Sequence, residues 1–479
     1  MKLAFDHPDP NLQAPWRYAQ FGLLILPFSP SLGGFSIGLA ALLTWLREYR
    51  TIIHRPLNWG FAGLSVLLVI SSIFAYDKTQ AFLGLFNLLP YFLFFAGFST
   101  LIQTPAQLRH IAWILVISSV PVVIMGFGQM FWGWHLDIQI LWILLDIAIA
   151  PGGEPPGRMA AIFMHANIFA AYQAIAFTLG LGLWLEQWRL KIRKPRRFLF
   201  YAVCKFLSDL TPNPFPCREG EQESKPLSVS GRGLERGFKN KSHIALLLFL
   251  TLSIITNFVA LILTDSRNGW AMAMVACLAY AMYQGWRIIV GSVVGVVTTV
   301  LLAAFAPSPV APIFRRFVPA YFWGRLNDQM YPDRPVAMMR KTQWEFAWSL
   351  TQQQPWTGWG LRSFSALYKA KMQIDLGHPH NLFLMLCAET GLPSALLFYG
   401  LVSWILIAGF QLLRTLKNIA QTDKLIFFSY LVVTIEWVLF NTVDVTLFDF
   451  RLNTFSWVLL SVLCGGVYHF QQHQKLNLS

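Results

Sequence analysis

Apolar runs of about 18 residues or more recur along the whole chain, and they constrain its fold more than any other feature. Of the 479 residues, 55% are hydrophobic and only 13% are charged, whereas roughly a quarter of a soluble domain is charged. Each apolar run is a candidate transmembrane helix. The sequence therefore predicts an all-α polytopic membrane protein.

The spacing of these runs predicts about twelve transmembrane helices, with a large outer loop between helices 9 and 10. Basic residues cluster in a few of the connecting loops, which by the positive-inside rule places both termini in the cytoplasm. The net charge of +14 thus reflects membrane topology, and no nucleic-acid partner is expected. The first residues lack the pattern of a cleavable signal, so none is expected. The predicted spans are residues 17–46 (two short helices), 59–76, 81–102, 111–131, 160–185, 244–263, 270–284, 288–305, 381–412, 425–441 and 454–470.

The predicted helices and loops divide the chain into five parts. Within the basic loop, residues 211–237 are rich in Pro, Gly, Ser and charge without periodicity, so this low-complexity insertion cannot bury enough apolar surface to fold alone. It resembles a dispersed repeat found in some cyanobacterial reading frames. Within the outer loop, residues 336–350 have the apolar spacing of a helix on the membrane surface. The parts are helices 1–6 (1–185), a basic cytoplasmic loop (186–242), helices 7–9 (243–305), a periplasmic loop (306–379) and helices 10–12 (380–479).

The five cysteines give no indication of a disulfide framework or of a metal site. Cys204 and Cys217 fall in the cytoplasmic loop, and the other three fall in predicted spans. No CxxC or HExxH spacing occurs in the sequence. We therefore expect neither a bound metal nor another cofactor.

Polar side chains at one membrane border mark the candidate site. A polar segment ends in His378-Pro379-His380-Asn381, and a long apolar run begins there, so two imidazoles and an amide lie at the membrane surface. Several arginines also fall on the outer side, where they oppose the positive-inside rule. Because guanidinium groups bind phosphate in a bidentate way, these arginines indicate a membrane-anchored pyrophosphate ligand.

Five motifs on this side of the membrane resemble those of the O-antigen ligase and polymerase family. None is specific alone, but their order and common side make the set specific. The resemblance covers most of the chain from Arg158 onward. The motifs are Arg158…Phe163…Asn167, Asp265-Ser266-Arg267, Arg340 with Trp344, Pro-Trp-Thr-Gly-Trp-Gly-Leu-Arg-Ser-Phe at 355–364, and His380-Asn381-Leu382-Phe383 with Glu389-Thr390-Gly391-Leu392.

The resemblance implies a multi-pass protein of the bacterial plasma membrane with a GT-C-like glycosyltransferase architecture. Such proteins transfer a glycan from an undecaprenyl-diphosphate-linked donor, among the membrane lipids, to lipid A core or another glycan acceptor at the periplasmic face. The reaction implied is inverting and metal-independent. His380 would be the general base and Arg267 the second catalytic residue. The implied substrate-binding residues are Arg340, Arg158, Asn381, His378, Asn167 and Glu389.

Structural roles and other functions remain open from the sequence. His380 could cap a helix, Arg267 could pair with Asp265, and Glu389 could pair with a polar residue on a neighbouring helix. The basic outer face would also suit a transporter of bicarbonate or another small anion, as proposed for a related branch, or a non-catalytic scaffold for polysaccharide assembly. The arginines and histidines lie on one face rather than at the midplane, and the sequence lacks a pair of matching broken helices, which favours the transferase.

Overall fold

A computed structural model describes residues 5–140, 145–209, 229–327, 335–415 and 419–476, with side chains not described for residues 139–146, 191–243, 325 and 473–476. Helices make up most of this part of the chain. The first ten are α1 (Gln13–Ile25), α2 (Pro30–Ile53), α3 (Pro56–Ile73), α4 (Lys78–Leu85), α5 (Leu89–Leu101), α6 (Pro105–Phe131), α7 (Ala166–Asp209), α8 (Val229–Leu263), α9 (Arg267–Gln284) and α10 (Arg287–Phe305). The others are α11 (Val310–Arg315), α12 (Ala320–Leu326), α13 (Arg340–Gln353), α14 (Ser363–Met372), α15 (Leu382–Thr415), α16 (Gln421–Phe440) and α17 (Phe450–Leu476).

Helices occur at every position where a span is predicted. Among the described residues, eight stretches are long and apolar enough to cross a membrane. They correspond to α3, α4 with α5, α6, α7, α8, α10, α15 and α17. The polytopic helical class is therefore confirmed. That α1, α2, α9 and α16 also cross the membrane stays a prediction.

The outer segment between α6 and α7 departs from the all-α prediction. It contains two antiparallel strands, β1 (Leu136–Ile140) and β2 (Leu145–Ile149), with Leu136 opposite Ile149. The strand sequences LDIQI and LDIAI alternate apolar and polar or small residues, which is the period of a strand with one buried face. The sequence analysis treated this stretch as an outer loop, so the hairpin corrects that interpretation.

The insertion lies mostly outside the described residues. Residues 211–228 of the predicted low-complexity segment fall in that undescribed part. Helix α8 begins at Val229, so residues 229–237 have a helical backbone where no periodicity was found. The predicted surface helix at 336–350 corresponds to α13, which begins at Arg340.

Helix α17 lies at the centre of the bundle and packs against α5, α15 and α16. Of its most apolar stretch, 94% of the residues are buried, against 11% for α10 at the periphery. Trp457 of α17 forms an aromatic cluster with Phe61, Phe92 and Phe95. The short connection from α16 to α17 therefore leads into the most buried of these eight apolar stretches.

Candidate functional site

The centre of the candidate site is a contact between two loops at the same end of the bundle. His380 immediately precedes α15, and Asp444 lies between α16 and α17. The Nδ1 atom of His380 is 3.3 Å from Oδ1 of Asp444. His380 has a φ of +52°, a backbone conformation that is uncommon outside glycine and is enriched at functional sites. The local fold thus holds this imidazole in a defined place.

Asn381 ties these two loops together. Its Nδ2 donates to the carbonyl of Thr442 over 3.0 Å, and its Oδ1 accepts from the backbone N–H of Leu384 over 3.0 Å. The second bond caps the start of α15. The N–H of Leu382 also donates to the carbonyl of Asn441. Both ends of the Asn381 amide are thus used within the protein, which indicates that Asn381 positions His380; its predicted substrate-binding role is untested.

A hydrogen-bonded chain runs from His380 to an arginine. Asp444 Oδ2 accepts from Nδ2 of Asn167 over 3.2 Å, and Oδ1 of Asn167 accepts from Arg158 over 2.7 Å. Arg158 in turn donates through Nε to the carbonyl of Thr264 over 2.8 Å. Burial alone would raise the pKa of Asp444, but the hydrogen bond and charge of His380, with His378, lower it overall. Asp444 is therefore a carboxylate at neutral pH.

His378 contacts both the ring and the backbone N–H of His380. Its ring lies 4.6 Å from the His380 ring, centroid to centroid, and stacks on Phe448. Its Nδ1 accepts the backbone N–H of His380 over 3.2 Å. Burial, together with the charge of His380, lowers the pKa of His378 to about 4. A neutral His378 thus stabilises the unusual backbone of His380, whereas the sequence analysis assigned it to substrate binding.

The lowered pKa of His378 predicts a loss of stability in mild acid. The unfolded chain binds a proton at His378 near pH 6.5, but the folded chain does so only near pH 4, so stability falls as the pH drops through this window. His378→Asn keeps an acceptor for the N–H of His380 and removes the titration. We expect the melting temperature of this variant to depend less on pH between 6.5 and 4 than that of the wild type. Equal slopes would contradict the burial of a neutral ring.

A cavity of about 350 Å³ opens in front of these groups. His165 also faces it, and burial followed by the charge of Arg158 lowers the pKa of His165. The volume of the cavity lies in the range found for ligand-binding sites. The cavity is lined by His165, Asn167, Ile168, His378, His380, Phe440, Asp444, Val445, Thr446, Phe448, Asp449 and Leu452.

The other two predicted arginines each begin a helix, and neither is among the residues that line this cavity. Arg267 is the first residue of α9 and follows Thr264, the acceptor of the Arg158 bond, by three residues. Arg340 is the first residue of α13. Trp344, one turn further along α13, donates to the carbonyl of Pro379 over 3.0 Å. Both guanidinium groups are half-buried and lie on segments that contact the site.

Glu389 lies away from this cavity. It is nine residues beyond His380, or roughly 13 Å along α15. Its carboxylate accepts the backbone N–H of Phe364 over 3.1 Å, and its carbonyl accepts the N–H of Gly360 over 2.7 Å. A Cβ on Gly358 would come within 2.4 Å of the Glu389 carbonyl carbon. The structure thus places Glu389 as an anchor for the glycine-rich turn rather than beside the other predicted binding residues.

Three side chains of the site also form a cluster of metal-ligand types. The ligand atoms of His378, His380 and Asp444 lie within 4.8 Å of one another. However, Nδ1 of His378 accepts a backbone N–H, so the proton of the neutral ring is on Nε2, the nitrogen that faces Asp444. A nitrogen that carries a proton cannot ligate a metal. The arrangement in this structure favours the hydrogen-bonded triad over a metal centre.

The sequence analysis missed Asp444 and left His165 among the outer histidines without a role. Asp444 falls in residues 442–453, which were passed over as a connection between two spans. The signal was present, because this short outer connection holds Asp444, Asp449 and Arg451 between two apolar helices. Charged groups at such a border are expensive and are usually functional or paired.

A protein-family model matches part of the chain. Residues 252–399 match the family model described as O-antigen ligase. Over this segment the chain resembles O-antigen ligases. With its apolar helices, this supports a multi-pass bacterial membrane protein of the O-antigen ligase or polymerase family, whose members use lipid-linked glycan donors and glycan acceptors. No curated protein matches the chain.

The matched segment covers only part of the site. It includes Arg267, Arg340 and His380. Arg158 and Asp444 lie outside it, one on each side in the sequence, and join it through the hydrogen-bonded chain. The fold therefore brings residues from outside the matched segment into hydrogen-bonded contact with His380, which lies inside it.

Proposed function

We propose that this protein transfers a glycan from an undecaprenyl-diphosphate-linked donor to an acceptor hydroxyl at the periplasmic face of the plasma membrane, with His380 as general base. The observation that carries the proposal is the contact between His380 Nδ1 and the carboxylate of Asp444 at the edge of the cavity. A carboxylate at Nδ1 fixes the tautomer that bears its proton there. Nε2 is then free to accept a proton from the acceptor.

In the proposed step, the acceptor hydroxyl attacks the anomeric carbon of the donor sugar. Its proton passes to Nε2 of His380, and the new glycosidic bond forms as the bond from the anomeric carbon to the diphosphate oxygen breaks. The undecaprenyl diphosphate leaves with the electron pair. Asp444 stabilises the imidazolium that forms, and the Asn167–Arg158 chain holds Asp444 in place. A single displacement of this kind inverts the anomeric centre.

The leaving diphosphate requires positive charge close to the cavity. Arg267 and Arg340 are the first residues of two helices, and the positive end of each helix dipole would add to the guanidinium charge at a bound diphosphate. Preorganised donors of this kind stabilise charge that develops in a transition state. We assign diphosphate binding to these two arginines. Arg158, which donates to Thr264 and to Asn167, is assigned the role of orienting Asn167.

The proposal is tested with the purified full chain in proteoliposomes that contain a lipid-linked glycan donor and an acceptor glycan. Arg267→Gln should lower turnover by about 10²-fold or more, as for the loss of one charge-stabilising donor. The control is Arg316→Gln, which changes an exposed arginine at the end of α11 and should leave turnover unchanged. Wild-type liposomes that take up bicarbonate but release no undecaprenyl diphosphate would replace the transferase with the anion transporter.

We also expect the reaction to proceed without a divalent metal. Treatment of the protein with EDTA, followed by desalting, should leave turnover within about twofold of the untreated sample, because arginine side chains supply the charge stabilisation. The measurement is donor consumption with and without added Mg²⁺, Mn²⁺ or Zn²⁺. Loss of activity that one of these metals restores would mean that His378, His380 and Asp444 hold an ion.

A further inference from the structure

A second cavity lies at the opposite end of α6 from the candidate site. The candidate site adjoins the segment that follows the end of α6, whereas this cavity begins at His110, near the start of the helix. Its volume of about 690 Å³ is typical of a site for a small organic ligand. It is lined by Phe5, Arg17, Gln20, Phe21, Leu24, His110, Trp113, Ile114, Ile117 and Leu246, from the N-terminal segment and from α1, α6 and α8.

The walls of this cavity are apolar and run along two helices at the side of the bundle, where Leu24 and Ile117 are exposed. On α1 the lining extends from Arg17 to Leu24, and on α6 from His110 to Ile117. Seven residues of α-helix span roughly 10 Å. The end of the cavity at Leu24 and Ile117, here called the aliphatic end, is lined by aliphatic side chains. Such a groove at the side of a membrane bundle fits a hydrocarbon chain that lies parallel to the helices.

The other end of the cavity, at Arg17, His110 and Trp113, is polar. Nδ1 of His110 and Nε1 of Trp113 are both buried, and within the described part of the chain neither has a hydrogen-bond partner. Both side chains are more than nine-tenths buried. An unsatisfied buried polar atom costs about 1–3 kcal/mol, so a ligand that pairs with these atoms would recover that free energy.

The charge at this end favours an anion. Arg17 is exposed at the rim, and none of the described residues that line the cavity is acidic. The neighbouring Arg109 is not available to a ligand, because it binds Glu186 and Asp423 on another side of α6. An anionic group beside Arg17 would thus have a cation and the indole N–H of Trp113 within one apolar groove, and the Nδ1–H tautomer of His110 would add a second donor.

We propose that this groove binds an anionic phospholipid of the leaflet opposite the transfer site, with its phosphate at Arg17, His110 and Trp113 and an acyl chain along Leu24 and Ile117. Guanidinium and N–H donors match phosphate oxygens. Anionic lipids of the cytoplasmic leaflet attract basic segments, and the loops on this side are predicted to be the basic ones. The proposed site is separate from the transfer chemistry and does not depend on it.

The test uses the full chain, purified in detergent, with equal amounts of phosphatidylglycerol and phosphatidylcholine, and counts the bound lipids by native mass spectrometry. The wild type should retain phosphatidylglycerol about tenfold more than phosphatidylcholine, as expected for hydrogen bonds to a charged group. Arg17→Gln should abolish the preference for phosphatidylglycerol. Ile117→Trp, which fills the aliphatic end of the cavity, should abolish retention of both lipids. Arg414→Gln, an exposed arginine of α15 that packs on Phe410, is the matched control and should behave as the wild type.

Three results would overturn this proposal. The first is equal retention of the two lipids by the wild type, and the second is an unchanged preference in Arg17→Gln. The third is displacement of phosphatidylglycerol by an equal concentration of undecaprenyl phosphate, which would assign the groove to the carrier instead of a membrane lipid. The melting temperature of each variant, measured in parallel, separates loss of the site from loss of the fold. If Ile117→Trp unfolds, Arg17→Gln alone decides, because its side chain is exposed.

Discussion

Replacing His380 with alanine is expected to lower the rate of glycan transfer by about 10²- to 10⁴-fold, the usual contribution of a general base. The variant loses both the proton acceptor and the partner of Asp444, while the backbone of the loop stays tied by Asn381. The measurement is turnover of a lipid-linked glycan donor at saturating acceptor, with the binding of the donor measured separately. Because the arginines remain, we expect donor binding to change little.

Two comparisons distinguish catalysis from a structural effect in His380→Ala. His135→Ala changes an exposed histidine just before β1, on the same outer side, and should leave turnover unchanged. Asp444→Asn retains the imidazole of His380 but weakens its orientation, so it should lower turnover while leaving donor binding unchanged. If His380→Ala transfers glycan as fast as the wild type, His380 is a structural residue and the proposed mechanism is wrong.

Replacing Arg109 with methionine is expected to cost the fold about 3–5 kcal/mol. Arg109 Nε lies 2.7 Å and 3.0 Å from the two carboxylate oxygens of Glu186, and one of its terminal nitrogens lies 2.9 Å from Asp423. These contacts join α6, α7 and α16 at the end opposite the candidate site. Methionine has a similar shape but leaves Glu186, which is 3% exposed, as an uncompensated buried charge. The measurement is reversible unfolding in mixed detergent micelles.

The matched control for Arg109→Met is Lys341→Met on α13. Lys341 also pairs with a glutamate, at 3.8 Å, but both side chains are exposed, at 86% and 66%. An exposed pair of this kind contributes at most about 1 kcal/mol, so we expect a small change in unfolding. The double variant Arg109→Met with Glu186→Gln should recover part of the lost stability, because it removes the buried charge. Equal losses for the Arg109 and Lys341 variants would mean that burial does not govern the strength of the cluster.

The predicted class and helix positions follow from hydropathy, which is a local property of the sequence. A run of apolar residues long enough to cross lipid is recognised without knowing its neighbours. The apolar stretches of α3, α6 and α8 therefore lie close to the spans that the apolar runs predict. The sequence analysis did not predict the β-hairpin at Leu136–Ile140 and Leu145–Ile149, because short alternating segments give a weak signal beside long apolar runs. The insertion at 211–228 lies outside the described residues.

The candidate site was only partly accessible from the sequence. Its position at a membrane border was read from His380, Arg267 and Arg340, because polar residues at such a border stand out against apolar helices. The substrate-binding role of Glu389 was inferred from the same motif and stays a prediction; in the structure its carboxylate accepts the backbone N–H of Phe364. A motif records which residues occur together along the chain and not which direction each side chain takes.

What the sequence by itself determined is the membrane, the helices and the side on which the chemistry is expected, because the cost of placing polar groups in lipid acts on each segment separately. Only the tertiary structure decided which side chains of the candidate site are hydrogen-bond partners. Asp444 reaches His380 across 64 residues, and Asn167 reaches Asp444 across 277. Such pairs depend on how α7, α15 and α16 pack around α17, and packing is a property of the whole bundle that no local pattern contains.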